Sequence, residues 1–121
     1  MSALWSTVMR AMTRGAMVVA AASVLAGALM AFVFAYLYAL VELVAPGSFF
    51  INPANNPDAR TGWWELLYFS FTCLTSVGFG DITPVSDPAR SLVMIEQMMG
   101  VLYLALIISR LVAMQASRGQ K

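Results

Sequence analysis

Histidine is absent from the 121-residue chain, and cysteine occurs once, at Cys73. An internal disulfide is therefore impossible, and a Cys/His metal site is excluded within one chain. Charge is scarce too: 11% of residues are charged, against about 25% in an ordinary globular protein. The net charge of +1 offers no basic surface for nucleic acid. No nucleophile–base pair or acid pair shares a plausible aqueous site, so an enzyme is not expected. What remains is apolar: 60% of the residues are hydrophobic. A chain this short buries only a modest share of its surface, so lipid is the natural solvent for the rest.

The apolar residues fall into runs. Residues 16–44 form one run, interrupted by Ser23 and Glu42. As a helix it reaches roughly 43 Å, more than the roughly 30 Å hydrocarbon core of a bilayer. A secretory leader would also place Arg10 and Arg14 ahead of an apolar run, but this run is too long and no small-residue cleavage site closes it. Ser23, Gly27, Ala31, Ala35 and Ala39 recur every fourth residue, a small-residue stripe along which another helix can pack closely. Tyr36 and Tyr38 near its end suit the membrane interface. Before this span, residues 1–14 place Trp5, Val8, Met9 and Met12 at helical spacing with Arg10 and Arg14. Two readings stand there: an amphipathic helix lying on the membrane surface, or the cytoplasmic start of the span.

Residues 45–61 are a polar loop rich in Pro, Gly and Asn. Residues 62–75 follow as a helix, with Thr61 as N-cap and Glu65 in the first turn. Its apolar part, Trp63 to Leu74, is about 18 Å long, too short to cross a bilayer, so it reads as re-entrant or buried. A second span is expected over 89–116, opened by the helix-start signal of Pro88 and followed by a tail over 117–121. Arg10 and Arg14 flank the first span; Arg110, Arg118 and Lys121 flank the end of the second. Most acids lie in the central segment. The positive-inside rule puts both termini in the cytoplasm and the centre outside.

Between the short helix and the second span stands Thr75-Ser76-Val77-Gly78-Phe79-Gly80-Asp81. Backbone carbonyls face one axis in succession when dihedrals alternate in handedness, and Gly78 and Gly80 accept positive φ cheaply at alternate positions. Such carbonyls can replace the water of a dehydrated cation. Val77 and Phe79 then point away from the axis, and Ser76 adds a hydroxyl at the inner end. The helix ending near Leu74 turns its negative end towards the ion's approach. One chain provides one carbonyl per layer, so a cage needs several chains around an axis.

This segment and its context resemble the potassium channel pore family of the two-transmembrane, pore-loop, bacterial-like type, whose filter reads TVGYG followed by Asp. The resemblance spans roughly residues 16–116, and its specific part runs from Tyr68 to Asp81. It implies an all-α membrane protein, with two transmembrane helices flanking a re-entrant pore helix and a filter over 76–81, assembled as a homotetramer. It also implies K⁺ as permeant ion, held at Ser76, Val77, Gly78 and Phe79 with Thr75 and Gly80 completing the filter, and no cofactor. Phe79 replaces the commoner Tyr and loses a hydroxyl; Ser76 replaces Thr and loses a methyl.

The same resemblance assigns supporting residues. Tyr68 and Phe69 align with the aromatic cuff around the filter, Phe69 having packing alone as its other reading. The Tyr68 phenol is placed to hydrogen-bond Asp81, which is otherwise a solvated mouth residue. Thr72 takes a pore-helix position where some relatives carry Glu. Cys73 reads as a small buried hydrophobe. Gly100 matches a gating hinge, with close packing as the alternative. Val101, Leu104, Ile108 and Val112 share a helical face that lines the cavity and inner gate, or else packs on the first span. Glu96 is an acid inside a span, read either as functional behind the filter or as a structural partner for a neighbouring hydroxyl.

The expected activity is passive, selective K⁺ conduction across the cell membrane by a multi-pass homotetramer in lipid. A weakly selective cation channel and a non-conducting scaffold or auxiliary subunit are the alternatives. These residues contain no Arg-rich voltage-sensing span, and the gating stimulus is not legible.

Overall fold

The computed structural model describes residues 2–58 and 60–119. Lys121, one of the flanking charges counted above, lies outside them. Helix α1 runs over Ser2–Val44 and helix α3 over Asp87–Gly119, and both carry stretches long and apolar enough to cross a membrane. Between them the short helix α2 occupies Trp63–Leu74.

No break separates residues 2–14 from the first span, so a distinct surface-lying helix does not form. Nothing there interrupts the helix: proline is absent, and the Ser6, Thr7 and Thr13 hydroxyls bond back to carbonyls three or four residues earlier. At about 1.5 Å per residue α1 is roughly 65 Å long, well beyond a hydrocarbon core. It ends where Glu42 turns its carboxylate onto the Gly47 and Ser48 amides at 2.9 and 3.1 Å. Gly47 takes φ +81° in that turn, a conformation glycine adopts without steric cost.

Two strands absent from the sequence reading follow. Strand β1, Phe49–Ile51, pairs antiparallel with β2, Ile82–Pro84, in the register Phe49↔Pro84 and Ile51↔Ile82. The pair is too short to show an alternating pattern, yet it ties the outer loop to the segment leaving the candidate filter. Asn52 N–H donates to the Asp81 carbonyl at 2.8 Å, and Val85 N–H to the Ser48 carbonyl at 2.8 Å.

The helix starts differ from the expected ones. Gly62, not Thr61, is the N-cap of α2; it is extended (φ −93°, ψ 174°), and no side chain caps the end. Helix α3 begins at Asp87, ahead of the expected residue 89, because Ser86 caps it: the Ser86 Oγ accepts from Ala89 N–H at 3.3 Å.

The core lies where α1, the strand pair, α2 and the outer part of α3 meet. Phe34, Tyr38, Phe49, Ile51, Leu66, Phe69, Cys73, Ile82, Ala89 and Val93 are buried there. The small-residue stripe of α1 faces this junction. Ala31 and Ala35 are fully buried, and Gly27 sits against the Tyr103 ring. Tyr38 is buried as well, so only Tyr36 keeps the exposed position expected of both tyrosines. The Tyr36 ring packs on Trp63, with centroids 4.4 Å apart.

Candidate functional site

Helix α2 ends in a Schellman motif. Val77 N–H donates to the Thr72 carbonyl at 3.0 Å, and Ser76 N–H to the Cys73 carbonyl at 3.1 Å. Gly78 N–H shares the Thr72 carbonyl at 3.2 Å, while Thr75 N–H and its hydroxyl both reach the Phe71 carbonyl. Three of the four carbonyls that a helix C-terminus leaves open are thereby satisfied, and the chain reverses direction. Thr72, expected as a filter support, serves this turn through its backbone carbonyl; its hydroxyl bonds back to Phe69 O at 2.7 Å.

The fourth carbonyl, that of Leu74, lies against Gly100. A Cβ on Gly100 would stand 2.1 Å from Leu74 O and 3.0 Å from its carbon. Glycine presents only a hydrogen there, a weak Cα–H···O contact. Helix α3 passes through Gly100 without interruption. The structure therefore gives this glycine the close-approach role that the hinge reading left second.

Beyond the turn, Ser76, Gly78 and Gly80 have φ of 60°, 54° and 83°, whereas no residue between them has positive φ. The alternation expected of Gly78 and Gly80 is present. Sequence reasoning named Ser76 but not its positive φ, because the position after a helix C-cap ordinarily calls for glycine. Residues 75–80 are exposed in the single chain, Phe79 at 68%.

Tyr68 stacks on Phe79, centroids 6.2 Å apart and rings within 6° of parallel. Asp81 neighbours the Tyr68 phenol and acts on it. The ring of Phe79, lacking a hydroxyl, is met by a ring instead. Phe69 leaves the expected cuff: it is buried against Tyr38 and Phe49, at centroid distances of 5.3 and 5.5 Å. One helix position apart, the two aromatics point to different sides of α2.

Glu96 is fully buried behind α2. The Tyr38 hydroxyl of α1 bonds its Oε2, and the Ser70 Oγ of α2 lies 2.5 Å from its Oε1. Two hydroxyls on two helices thus take the place of the single partner expected. Ser70 had no signal of its own beyond its place on an apolar helix.

Val101, Leu104, Ile108 and Val112 are exposed in the single chain. Val101 and Leu104 line, with Thr75, Ser76 and the inner half of α1, an apolar cavity of about 730 Å³ beneath the turn. Among the described residues no group of His, Cys, Asp and Glu is arranged to hold a metal ion.

A family model described as ion channel matches residues 26–116, which take in the outer part of α1, α2, the turn and most of α3. The chain belongs to that ion-channel family. The family match and the two apolar helices make it an all-α membrane protein apart from the short strand pair. A relative, the potassium channel protein kcv of Paramecium bursaria Chlorella virus 1, is 34% identical over 55 residues. That match covers 45% of this chain and 58% of the relative, so the chain aligns with little more than half of the viral protein's length.

Proposed function

We propose that this ion-channel family member is the subunit of a homotetrameric, K⁺-selective channel, with K⁺ as permeant ion and no cofactor. The alternating positive φ at Ser76, Gly78 and Gly80, in an exposed turn between two spans, carries this reading. Around a common axis, the carbonyls of Thr75, Ser76, Val77, Gly78 and Phe79 would form stacked rings of oxygens, replacing the ion's hydration shell layer by layer. K⁺ sits at Ser76, Val77, Gly78 and Phe79, and Gly80 frees the backbone at the mouth. Backbone of this kind at membrane depth is tolerated where it lines a water-filled path.

The exposed face of α3 through Val101, Leu104, Ile108 and Val112 lines the pathway below the filter, and the lipid bilayer surrounds the assembly. Flanking Arg10, Arg14 and Arg110 place both termini in the cytoplasm of a cell-membrane protein. The similarity to a viral potassium channel protein supports the choice of ion.

A weakly selective cation channel is the second reading. It is favoured by the Phe79 ring, which stacks on Tyr68 but offers no hydroxyl to anchor the filter from behind. Purified protein in liposomes tests the proposal. K⁺-driven flux without any added partner, exceeding Na⁺ flux, is the expected result. No flux would mean a non-conducting scaffold or auxiliary subunit, and equal fluxes would mean the weakly selective alternative.

A further inference from the structure

The buried cluster around Glu96 can be resolved proton by proton. Its oxygens make three close contacts: Tyr38 hydroxyl to Glu96 Oε2, Ser70 Oγ to Glu96 Oε1 at 2.5 Å, and Ser70 Oγ to the Ala31 carbonyl at 2.7 Å. Each contact needs one proton. Tyr38 and Ser70 own one each, and the Ala31 carbonyl owns none. An ionised Glu96 would leave two protons for three contacts and press two acceptor oxygens together. A carboxylic acid supplies the third.

One arrangement then satisfies every group. Tyr38 donates to Glu96 Oε2, Glu96 Oε1–H donates to Ser70 Oγ, and Ser70 donates to the Ala31 carbonyl.

The surroundings agree. Tyr38 from α1 and Cys73 from α2 are the titratable side chains that act on or with Glu96, and neither is a base. Arg90, at the outer end of α3, is exposed and donates to the Pro84 carbonyl at 3.3 Å. Among the described residues Glu96 has no ion pair, and an unpaired buried carboxylate is strongly disfavoured.

We propose that Glu96 is held as a neutral carboxylic acid and acts as a positioning residue. Through it a directed chain of hydrogen bonds locks the pore helix α2 to both spans. Ser70 lies two residues before Thr72, whose carbonyl receives the Val77 and Gly78 amides, so the lock fixes the base of the turn.

Infrared difference spectroscopy of the wild-type protein against Glu96→Gln at neutral pH tests the protonation directly. A carbonyl-stretch band of a protonated carboxyl, present in the wild type and missing in the variant, is expected. Absence of that band overturns the proposal, whatever the protein conducts.

The second arm uses liposome K⁺ flux and rests on the channel reading. A Gln amide reproduces the chain, its oxygen accepting from Tyr38 and its N–H donating to Ser70. Glu96→Gln should keep flux within about twofold of wild type, whereas Glu96→Leu, which leaves the buried Tyr38 hydroxyl without its acceptor and cuts Ser70 off from α3, should lose about tenfold or more. Equal loss in both variants would overturn the positioning role, because a neutral isostere would then have failed to substitute. Wild-type flux in Glu96→Leu would overturn it as well.

Discussion

The two sides of α2 differ sharply in how complete they are. Towards α1 the helix is finished within one chain: Phe69, Ser70, Cys73 and Leu66 are buried, and Glu96 is fully hydrogen-bonded. Towards the filter side, residues 75–80 and the face of α3 through Ile108 and Val112 stand open. The finished side obeys the rules of an ordinary core, with interlocking aromatics and small residues where helices approach. The open side carries left-handed backbone at Ser76, Gly78 and Gly80 together with exposed apolar residues. The lesson is that one chain builds a rigid mount, and the proposed tetramer completes what is mounted on it.

The largest predicted effect falls on the open side. Gly78→Ala and Gly80→Ala should each abolish selective flux in liposomes. A Cβ at either position meets nothing within 4 Å in the single chain, so the penalty lies in the backbone. Positive φ costs a non-glycine residue about 1–2 kcal/mol, and a tetramer would incur it in every subunit. Unchanged K⁺ selectivity in either variant would break the contrast between a strained filter and a relaxed mount.

Gly100→Ala comes next, and it tests where the two sides join. The added methyl would meet the backbone carbonyl of Leu74, which has little freedom to move. Overpacking of this kind costs about 1–3 kcal/mol, so the thermal midpoint should fall and flux with it. If glycine acted only as a hinge, Ala would stiffen the helix, which favours Ala over Gly by up to about 1 kcal/mol. A stable Gly100→Ala protein with reduced opening would restore the hinge reading.

A smaller effect is expected on the finished side. The Tyr103 hydroxyl donates to the Ser23 carbonyl, joining α3 to α1. Tyr103→Phe should cost about 0.5–1.5 kcal/mol, seen as a lower thermal midpoint with unchanged selectivity. A change of selectivity without loss of stability would mean that the mount is not separate from the filter.

The smallest stability change is expected at Val112→Ala, since exposed substitutions usually stay within about 0.5 kcal/mol. Its conductance should nevertheless change if this face lines the pathway. A thermal loss as large as that of Tyr103→Phe would show that Val112 is packed in the assembled protein rather than lining a pore.

Legibility in the sequence follows the same division. The two long helices and the half-length helix between them could be read because lipid-facing runs are long and continuous. The positive φ of Gly78 and Gly80 could be read because the two glycines are spaced for alternating dihedrals. The inner detail of the mount could not. Phe69 and Tyr68 are adjacent aromatics, and only the helix's rotation decides which is buried. Tyr38 looked like an interface residue until the position of Glu96 across the helix junction gave its hydroxyl a partner. Ser76 adopts positive φ because the Schellman turn imposes it, against the preference of its own side chain. The β1–β2 pair rests on three residues in each strand, too few for a pattern.

Selectivity is the most direct test of the whole proposal. Purified protein in a planar bilayer, with K⁺ on both sides at unequal concentration and Na⁺ making up the difference, should give a reversal potential near the K⁺ equilibrium value. It should follow that value as the K⁺ gradient is changed. A reversal potential that stays near zero under that gradient would contradict the claim that these alternating carbonyls select K⁺.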